Sequence, residues 1–189
     1  MASANRTEFA VLGLLALGAR SGYDIKKMAD DALGHFWNES FGHIYPILKR
    51  LEQRDWVTKS VEPQEGRPDR KVYALTPAGH EALQEWFASP IEPVPPREEL
   101  LLKLFLGPLT PPAALIEQVE QYRAAQREDL AQLDGLVKQV EREESNNPGL
   151  PFWLLTVDHH RAMLRARLRW SADALTRLRS LIGGNVPVS

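Results

Sequence analysis

Ser40-Phe-Gly-His-Ile-Tyr-Pro-Ile-Leu-Lys-Arg-Leu-Glu52 decides how the rest of this chain is read. At about 100° per residue, a helix through it gathers Phe41, Ile44, Ile47, Leu48 and Leu51 on one side. Gly42, Pro46, Lys49 and Gln53 run down the opposite side, flanked by His43, Tyr45 and Arg50. The first face is built for a core. The second carries small residues where a backbone can come close, with cations and hydrogen-bonding rings around them. A helix seated in the major groove of duplex DNA needs that combination, because it must reach phosphates and base edges together. A proline beyond the first helical turn costs about 3 kcal/mol, so Pro46 sets the expected start of the helix near His43. A solvated surface helix is the plainer reading of the segment alone, and its neighbours decide between the two.

Downstream the period changes from helical to alternating. Val57-Thr-Lys-Ser-Val61 and Lys71-Val-Tyr-Ala-Leu75 are strand-like, and 62–68 between them is rich in turn residues. This predicts a β-hairpin whose tip carries Gly66, Arg67, Pro68 and Arg70. Thr76-Pro-Ala-Gly79 restarts a helix, with Thr76 as its cap and Pro77 at the first helical position. Upstream, Thr7–Leu17 is apolar nearly all round and should be covered on several sides. Ser21-Gly-Tyr-Asp24 has capping-box spacing, with aspartate replacing the usual glutamate, and opens a helix to about Leu33. Three helices followed by a basic-tipped hairpin is the layout of a winged helix-turn-helix, whose third helix enters the major groove.

Pro90-Ile-Glu-Pro-Val-Pro-Pro96 reads as a stiff linker biased to extended conformations. Only helical patterns follow it, over 97–106, 112–144 and 151–182. The last places apolar or small residues at 157, 164, 168, 171, 175, 178 and 182, interrupted only by Arg161, and Leu130, Leu133, Val137 and Val140 continue a similar stripe on the helix before it. Long helices with such seams pair, within a chain or between chains. Asn146-Asn-Pro-Gly149 supplies the turn. Acids outnumber Arg123, Arg127, Lys138 and Arg142 on the first of the two, whereas Arg161, Arg165, Arg167, Arg169, Arg177 and Arg179 dominate the second, so their charges favour association modestly. The arginines lie around that last helix rather than along one stripe, which argues against its being the DNA-reading element. The expected organisation is a winged helix over 1–89, a linker over 90–96 and a helical dimerisation domain over 97–189, in which Leu164, Leu168, Leu175, Leu178 and Ile182 form the dimer seam.

Composition bounds the chemistry. The 189 residues are 43% apolar and 25% charged, an ordinary globular mixture. The absence of cysteine removes disulfides, zinc-finger frameworks and thiol catalysis together. The formal net charge of −2 makes any basic patch local: across 40–75, seven cations face five acids, a balance of +2. Non-specific electrostatic affinity for DNA should therefore be moderate and salt-sensitive. Lys49, Arg50, Arg67, Arg70 and Lys71 fall on the outer helix face or the wing, and a dimer would present that set twice. The apolar run Phe9–Ala19 is too short to span a membrane and is preceded by Glu8 where a signal sequence would be basic, so a buried helix in a cytoplasmic protein is expected. Adjacent His159 and His160 diverge by about 100° and do not chelate from one face, and no metal or other cofactor is expected. The five tryptophans, Trp37, Trp56, Trp86, Trp153 and Trp170, suit core packing, with stacking of a small aromatic effector as the alternative. No phosphate loop, nucleophile elbow or paired carboxylates appear, so the chain is not read as an enzyme.

Gly22-Tyr-Asp-Ile25, Gly42-His-Ile-Tyr-Pro-Ile-Leu-Lys-Arg-Leu-Glu52 and Gly66-Arg-Pro-Asp-Arg-Lys-Val-Tyr-Ala-Leu-Thr-Pro-Ala-Gly79 resemble the PadR family of bacterial transcriptional regulators over 9–87. The helical remainder is similar in pattern to the larger, AphA-like subgroup. The resemblance implies a homodimer that binds a short inverted repeat, usually as a repressor, and that some aromatic compounds release. It puts Ser40, Gly42, His43, Tyr45 and Lys49 in the major groove, and Arg67 and Arg70 in the wing. Pro46, Arg50 and Lys71 join that set by their faces. Arg54-Asp-Trp-Val57 departs from the glycine–hydrophobic pair usual after the recognition helix, which should alter the turn and leave the hairpin intact. The competing reading is a helical protein–protein interaction module whose winged helix docks onto protein.

Overall fold

A computed structural model describes residues 6–18, 20–34, 36–37, 44–64, 66, 69–91 and 97–183. The chain divides into two compact units, 1–93 and 94–189. Of the linker stretch 90–96, residues 92–96 lie outside the described ones. Among the described residues, no helix is long and apolar enough to cross a membrane.

The first unit contains α1 (Arg6–Ala16), α2 (Gly22–Ala32), α3 (Ile44–Gln53), β1 (Val57–Glu62), β2 (Arg70–Leu75) and α4 (Pro77–Ala88). Helix α1 packs against α2, α3, α4 and β2, which is why it is apolar nearly all round. Its Val11, Leu12, Leu14 and Leu15 meet Ile25 and Ala29 of α2 and Ile44, Ile47, Leu48 and Leu51 of α3 in one core. Phe9 stacks on Trp86 at 5.1 Å and lies 5.9 Å from Trp56, closing that core toward α4. The capping box at α2 is present: the Ser21 hydroxyl accepts from the Asp24 N–H, and the Asp24 carboxylate accepts from the Ser21 N–H at 2.9 Å. Thr76 caps α4 ahead of Pro77.

Strands β1 and β2 pair antiparallel from Val57↔Leu75 to Glu62↔Arg70, each one residue longer than the alternation predicts. The hairpin is tied to the helices by a bridge from Ser21 to Val72 and by the Tyr73 N–H, which donates to the Arg20 carbonyl at 2.7 Å.

The second unit contains α5 (Glu99–Phe105), a 3-10 turn at Gly107–Leu109, α6 (Pro112–Glu143) and α7 (Leu150–Gly183). Arg161 of α7 bonds Asp134 of α6, and Arg179 bonds Glu120, so the two helices run antiparallel. Leu133 and Val137 pack with Val157 and Leu164 between them. Ser171 and Leu175 are also buried, while Leu168 and Leu178 are half-buried. The expected α7 seam is thus covered, at Leu164, by this chain's own α6. The side chain of Ile182 lies outside the described residues. Arg161, which interrupts the seam in sequence, is not a gap in it: its side chain is only 21% exposed and its guanidinium reaches the Asp134 carboxylate at 2.8 Å.

Candidate nucleic-acid interface

Helix α3 divides its residues by face as its sequence pattern requires. Ile44, Ile47, Leu48 and Leu51 are buried, whereas Tyr45, Pro46, Lys49, Arg50, Glu52 and Gln53 are exposed. Pro46 is the third residue of the helix, inside the first turn, where its missing N–H breaks no helical bond.

The helix ends in a Schellman motif. The Trp56 N–H reaches back to the Leu51 carbonyl at 2.9 Å and the Asp55 N–H to the Glu52 carbonyl at 3.0 Å. Asp55 takes the left-handed position, φ 57°, where glycine is usual. The departure from the glycine pair therefore keeps the turn geometry by placing an aspartate in it, and the hairpin follows unchanged.

Tyr45 leans across the start of α2. A Cβ built on Gly22 would lie 3.0 Å from the Tyr45 ring, so the absence of a side chain at 22 is what lets the ring come so close. Between this ring and the wing lies an open groove lined by Ser21–Asp24, Gln64 and Asp69–Lys71. Tyr23, 72% exposed, stands at its edge. Lys71 is exposed on β2 and Arg70 is half-buried beside it.

Two of the candidate cations already hold internal partners. Arg70 donates to the Asp24 carboxylate at 2.6 Å. Burial alone would raise the Asp24 carboxyl, but hydrogen bonds from the Ser21 backbone and hydroxyl, the Arg20 backbone and Arg70 together hold it below the usual carboxylate range. Arg50 donates from Nε to the Glu8 carboxylate at 2.7 Å, and Arg54 donates to the other oxygen at 2.9 Å. Glu8 and Asp24 thus hold two of the candidate interface cations, which the sequence reading did not foresee. The capping-box spacing identified Asp24 locally, but its pairing with a residue 46 positions away left no signal in the sequence.

Tyr45, Pro46, Lys49, Arg50, Arg70 and Lys71 lie on one helix and the loop end of the hairpin. Ser40, Gly42, His43 and Arg67 fall outside the described residues. Trp37, Trp56 and Trp86 pack against the core of the first unit, and Trp153 against that of the second. Trp170 is partly exposed, edge-on to Tyr122 at 6.0 Å. His159 is exposed and His160 half-buried. Burial lowers the His160 pKa, Arg167 and His159 add to the lowering, and Asp129 opposes it. Among the described residues, no group of three or more His, Cys, Asp or Glu side chains is placed to hold a metal ion.

Residues 11–85 match the Transcriptional regulator PadR-like family, and residues 96–179 match the Virulence activator alpha C-term family. The protein named "Probable transcriptional regulator Rv1176c" of Mycobacterium tuberculosis is 30% identical over 176 residues, 88% of this chain and 90% of that one. The chain belongs to the PadR-like family of transcriptional regulators. That family is one of regulators, not of enzymes.

The negative transcriptional regulator PadR of Bacillus subtilis is 35% identical over 100 residues, 52% of this chain and 54% of that one. Its structure in complex with operator DNA matches this PadR-like chain with a TM-score of 0.79 at 24% identity, over 92% of this chain and 99% of that one. Its complex with p-coumaric acid matches with a TM-score of 0.73 at 24% identity, over 93% and 99%. The virulence activator AphA of Vibrio cholerae shares the fold, with a TM-score of 0.76 at 23% identity over 92% and 98%.

Proposed function

We propose that this PadR-like regulator is a cytoplasmic, DNA-binding repressor that recognises an inverted repeat as a homodimer. The observation that carries the reading is the split of α3: one face builds the core, while Tyr45, Pro46 and Lys49 stand exposed, Tyr45 across a groove from the loop end of the wing. Tyr45 and Lys49 supply hydrogen-bonding and charged groups, Pro46 and the flanking Gly42 allow close approach, and Lys71 extends the surface along β2. Ser40, His43, Arg50, Arg67 and Arg70 complete the DNA-binding set. The operator complex of B. subtilis PadR and that protein's description as a negative regulator support both DNA binding and repression.

The dimer uses α7. Leu164 and Leu175 are buried in the chain's own helix pair, so they and the half-buried Leu168 and Leu178 give the helix its shape. By sequence spacing, Ile182 continues that series. A second stripe, Phe152, Leu155, Met163 and Trp170, runs along a flank of α7 at steps of three, eight and seven and is exposed in whole or part, which makes it the surface for a second copy. A small aromatic acid acting as effector is supported by the p-coumaric acid complex of B. subtilis PadR.

The test is selection of duplexes by the full chain from a random-sequence library. The expected result is an inverted repeat with half-sites about one helical turn, roughly 34 Å, apart. Failure to retain any duplex at low salt sinks the DNA reading and favours a module that docks onto protein. Adding p-coumaric acid to the recovered complex should release the DNA, and an unchanged complex would remove that acid as effector.

A further inference from the structure

Glu8 is the one acid of a mostly apolar helix, in its first turn, and it is 2% exposed. Placing a carboxylate there is expensive unless cations and hydrogen bonds compensate it, and an apolar residue of similar size would serve packing at least as well. Both of its oxygens are occupied. Oε1 accepts from Arg50 Nε at 2.7 Å and Oε2 from Arg54 Nη1 at 2.9 Å, one arginine in the last turn of α3 and one just past its end.

The two arginines are held differently. Arg54 also lies over the Trp56 ring, 5.1 Å from its centroid, and is turned into the fold. Arg50 is 44% exposed and is gripped only at Nε, and among the described residues no other acceptor takes its Nη groups. Among the described residues, its outer edge, formed by the two Nη nitrogens, is therefore left to meet another group. It sits one turn after Pro46 and next to Lys49, on the flank of the exposed face. That edge is the fork that matches a phosphate with two parallel hydrogen bonds. A guanidinium already oriented loses less freedom on binding than a free one.

We propose that Glu8 is a positioning residue for DNA binding: by holding Arg50 at Nε, it presents the outer edge of that guanidinium to a backbone phosphate beside α3. This rests on the DNA-binding reading above.

The sign of one substitution separates this role from simple electrostatics. Glu8, Arg50 and Arg54 together carry +1, and Glu8→Gln raises that to +2 with little change of shape. A carboxylate that merely added negative charge near the DNA would, when removed, tighten binding. A positioning carboxylate would, when removed, weaken it.

The experiment titrates the full chain, wild type and variants, against the duplex that the wild type retains from a random-sequence library, over a salt series. Glu8→Gln should weaken binding about tenfold and flatten the slope of log K against log salt by about one for each phosphate that is no longer neutralised. Arg50→Lys keeps the charge but loses the fork, and should show the same weakening. Glu8→Gln should add nothing further in the Arg50→Lys background. A helix that is loosened while Arg50 still neutralises its phosphate would leave the slope unchanged.

Binding by Glu8→Gln as tight as wild type or tighter, an unchanged slope, or effects that multiply in the double variant would each overturn the proposal. If Glu8→Gln fails to fold by far-ultraviolet circular dichroism, Arg50→Lys alone decides, and wild-type affinity there overturns it. A wild type that retains no duplex defeats the DNA reading itself, and the positioning role with it. A wild type that binds while the variants match it defeats the positioning role only.

Discussion

Gly79 lies in the first turn of α4 against the Trp56 carbonyl, and a Cβ there would overlap that oxygen and lie 3.0 Å from the carbonyl carbon. The same oxygen accepts from the Thr76 N–H at 3.0 Å, and the Thr76 hydroxyl accepts from the Gly79 N–H at 3.0 Å. Backbone cannot yield as a flexible side chain can, so Gly79→Ala must separate α4 from the turn that ends α3. It should destabilise the protein by at least ~1–3 kcal/mol in urea unfolding, the range for overpacking, and a smaller loss would mean that the turn relaxes freely. In the turn that ends α3, Asp55 holds φ 57° without a glycine. A left-handed conformation costs most residues about 1–2 kcal/mol, aspartate less, and glycine gives some of the gain back as unfolded-chain entropy. Asp55→Gly is therefore expected to stabilise by about 0.5 kcal/mol, with the carbonyl that accepts from the Thr76 hydroxyl left in place. A loss of stability would show that the Asp55 side chain has a role the geometry does not reveal.

The elements themselves were largely legible because their signals are local. Ser21 and Asp24 stand three apart, Thr76 precedes a proline, and the faces of α3 alternate at helical spacing, so each element could be placed from neighbours in sequence. What joins the elements was not legible. Glu8 reaches Arg50 and Arg54 across 42 and 46 positions, and Arg70 reaches Asp24 across 46, and periodicity carries no information about such pairs. It likewise showed that 157, 164 and 171 share a face of α7 without showing what covers it. Asp24 makes the consequence measurable, because it closes the capping box and anchors β2 through Arg70, while Glu62 anchors β1 to Arg20 at 2.9 Å. Its folded pKa lies below the ordinary 3.8, so its charge contributes stability that is present above the unfolded pKa and is lost as pH falls through the folded one. Asp24→Asn keeps an acceptor for the cap and removes only the charge. It should be less stable than wild type by about 1 kcal/mol at pH 7, with the gap closing as pH falls below the unfolded value. A gap that stays constant from pH 7 to pH 3, followed by urea unfolding, would mean that the charge on Asp24 is not what holds the wing.

At the scale of the whole molecule, the proposed dimer turns on which face of α7 would meet a second copy. Leu164 is fully buried against α6, and Met163, its neighbour in sequence, is 42% exposed in the stripe with Phe152, Leu155 and Trp170. Adjacent residues thus make opposite predictions. Leu164→Ala removes methyl groups from the chain's own core and should lower stability by about 2–4 kcal/mol, while the folded fraction keeps its dimer mass. Met163→Glu puts a charge into the proposed interface at little expense to a single chain. Light scattering at micromolar concentration should then fall from twice 21.3 kDa to 21.3 kDa with helicity retained. The loss should reach DNA binding as well. With a local balance of only +2 across 40–75, one winged helix has few contacts to offer, and two joined sites gain from effective concentration what each lacks in charge. Met163→Glu should therefore weaken operator binding by at least a hundredfold at protein concentrations where the wild type is dimeric. Retention of the dimer mass in Met163→Glu, or its loss in Leu164→Ala without unfolding, would return the interface to the inner seam at Leu164, Leu168, Leu175, Leu178 and Ile182.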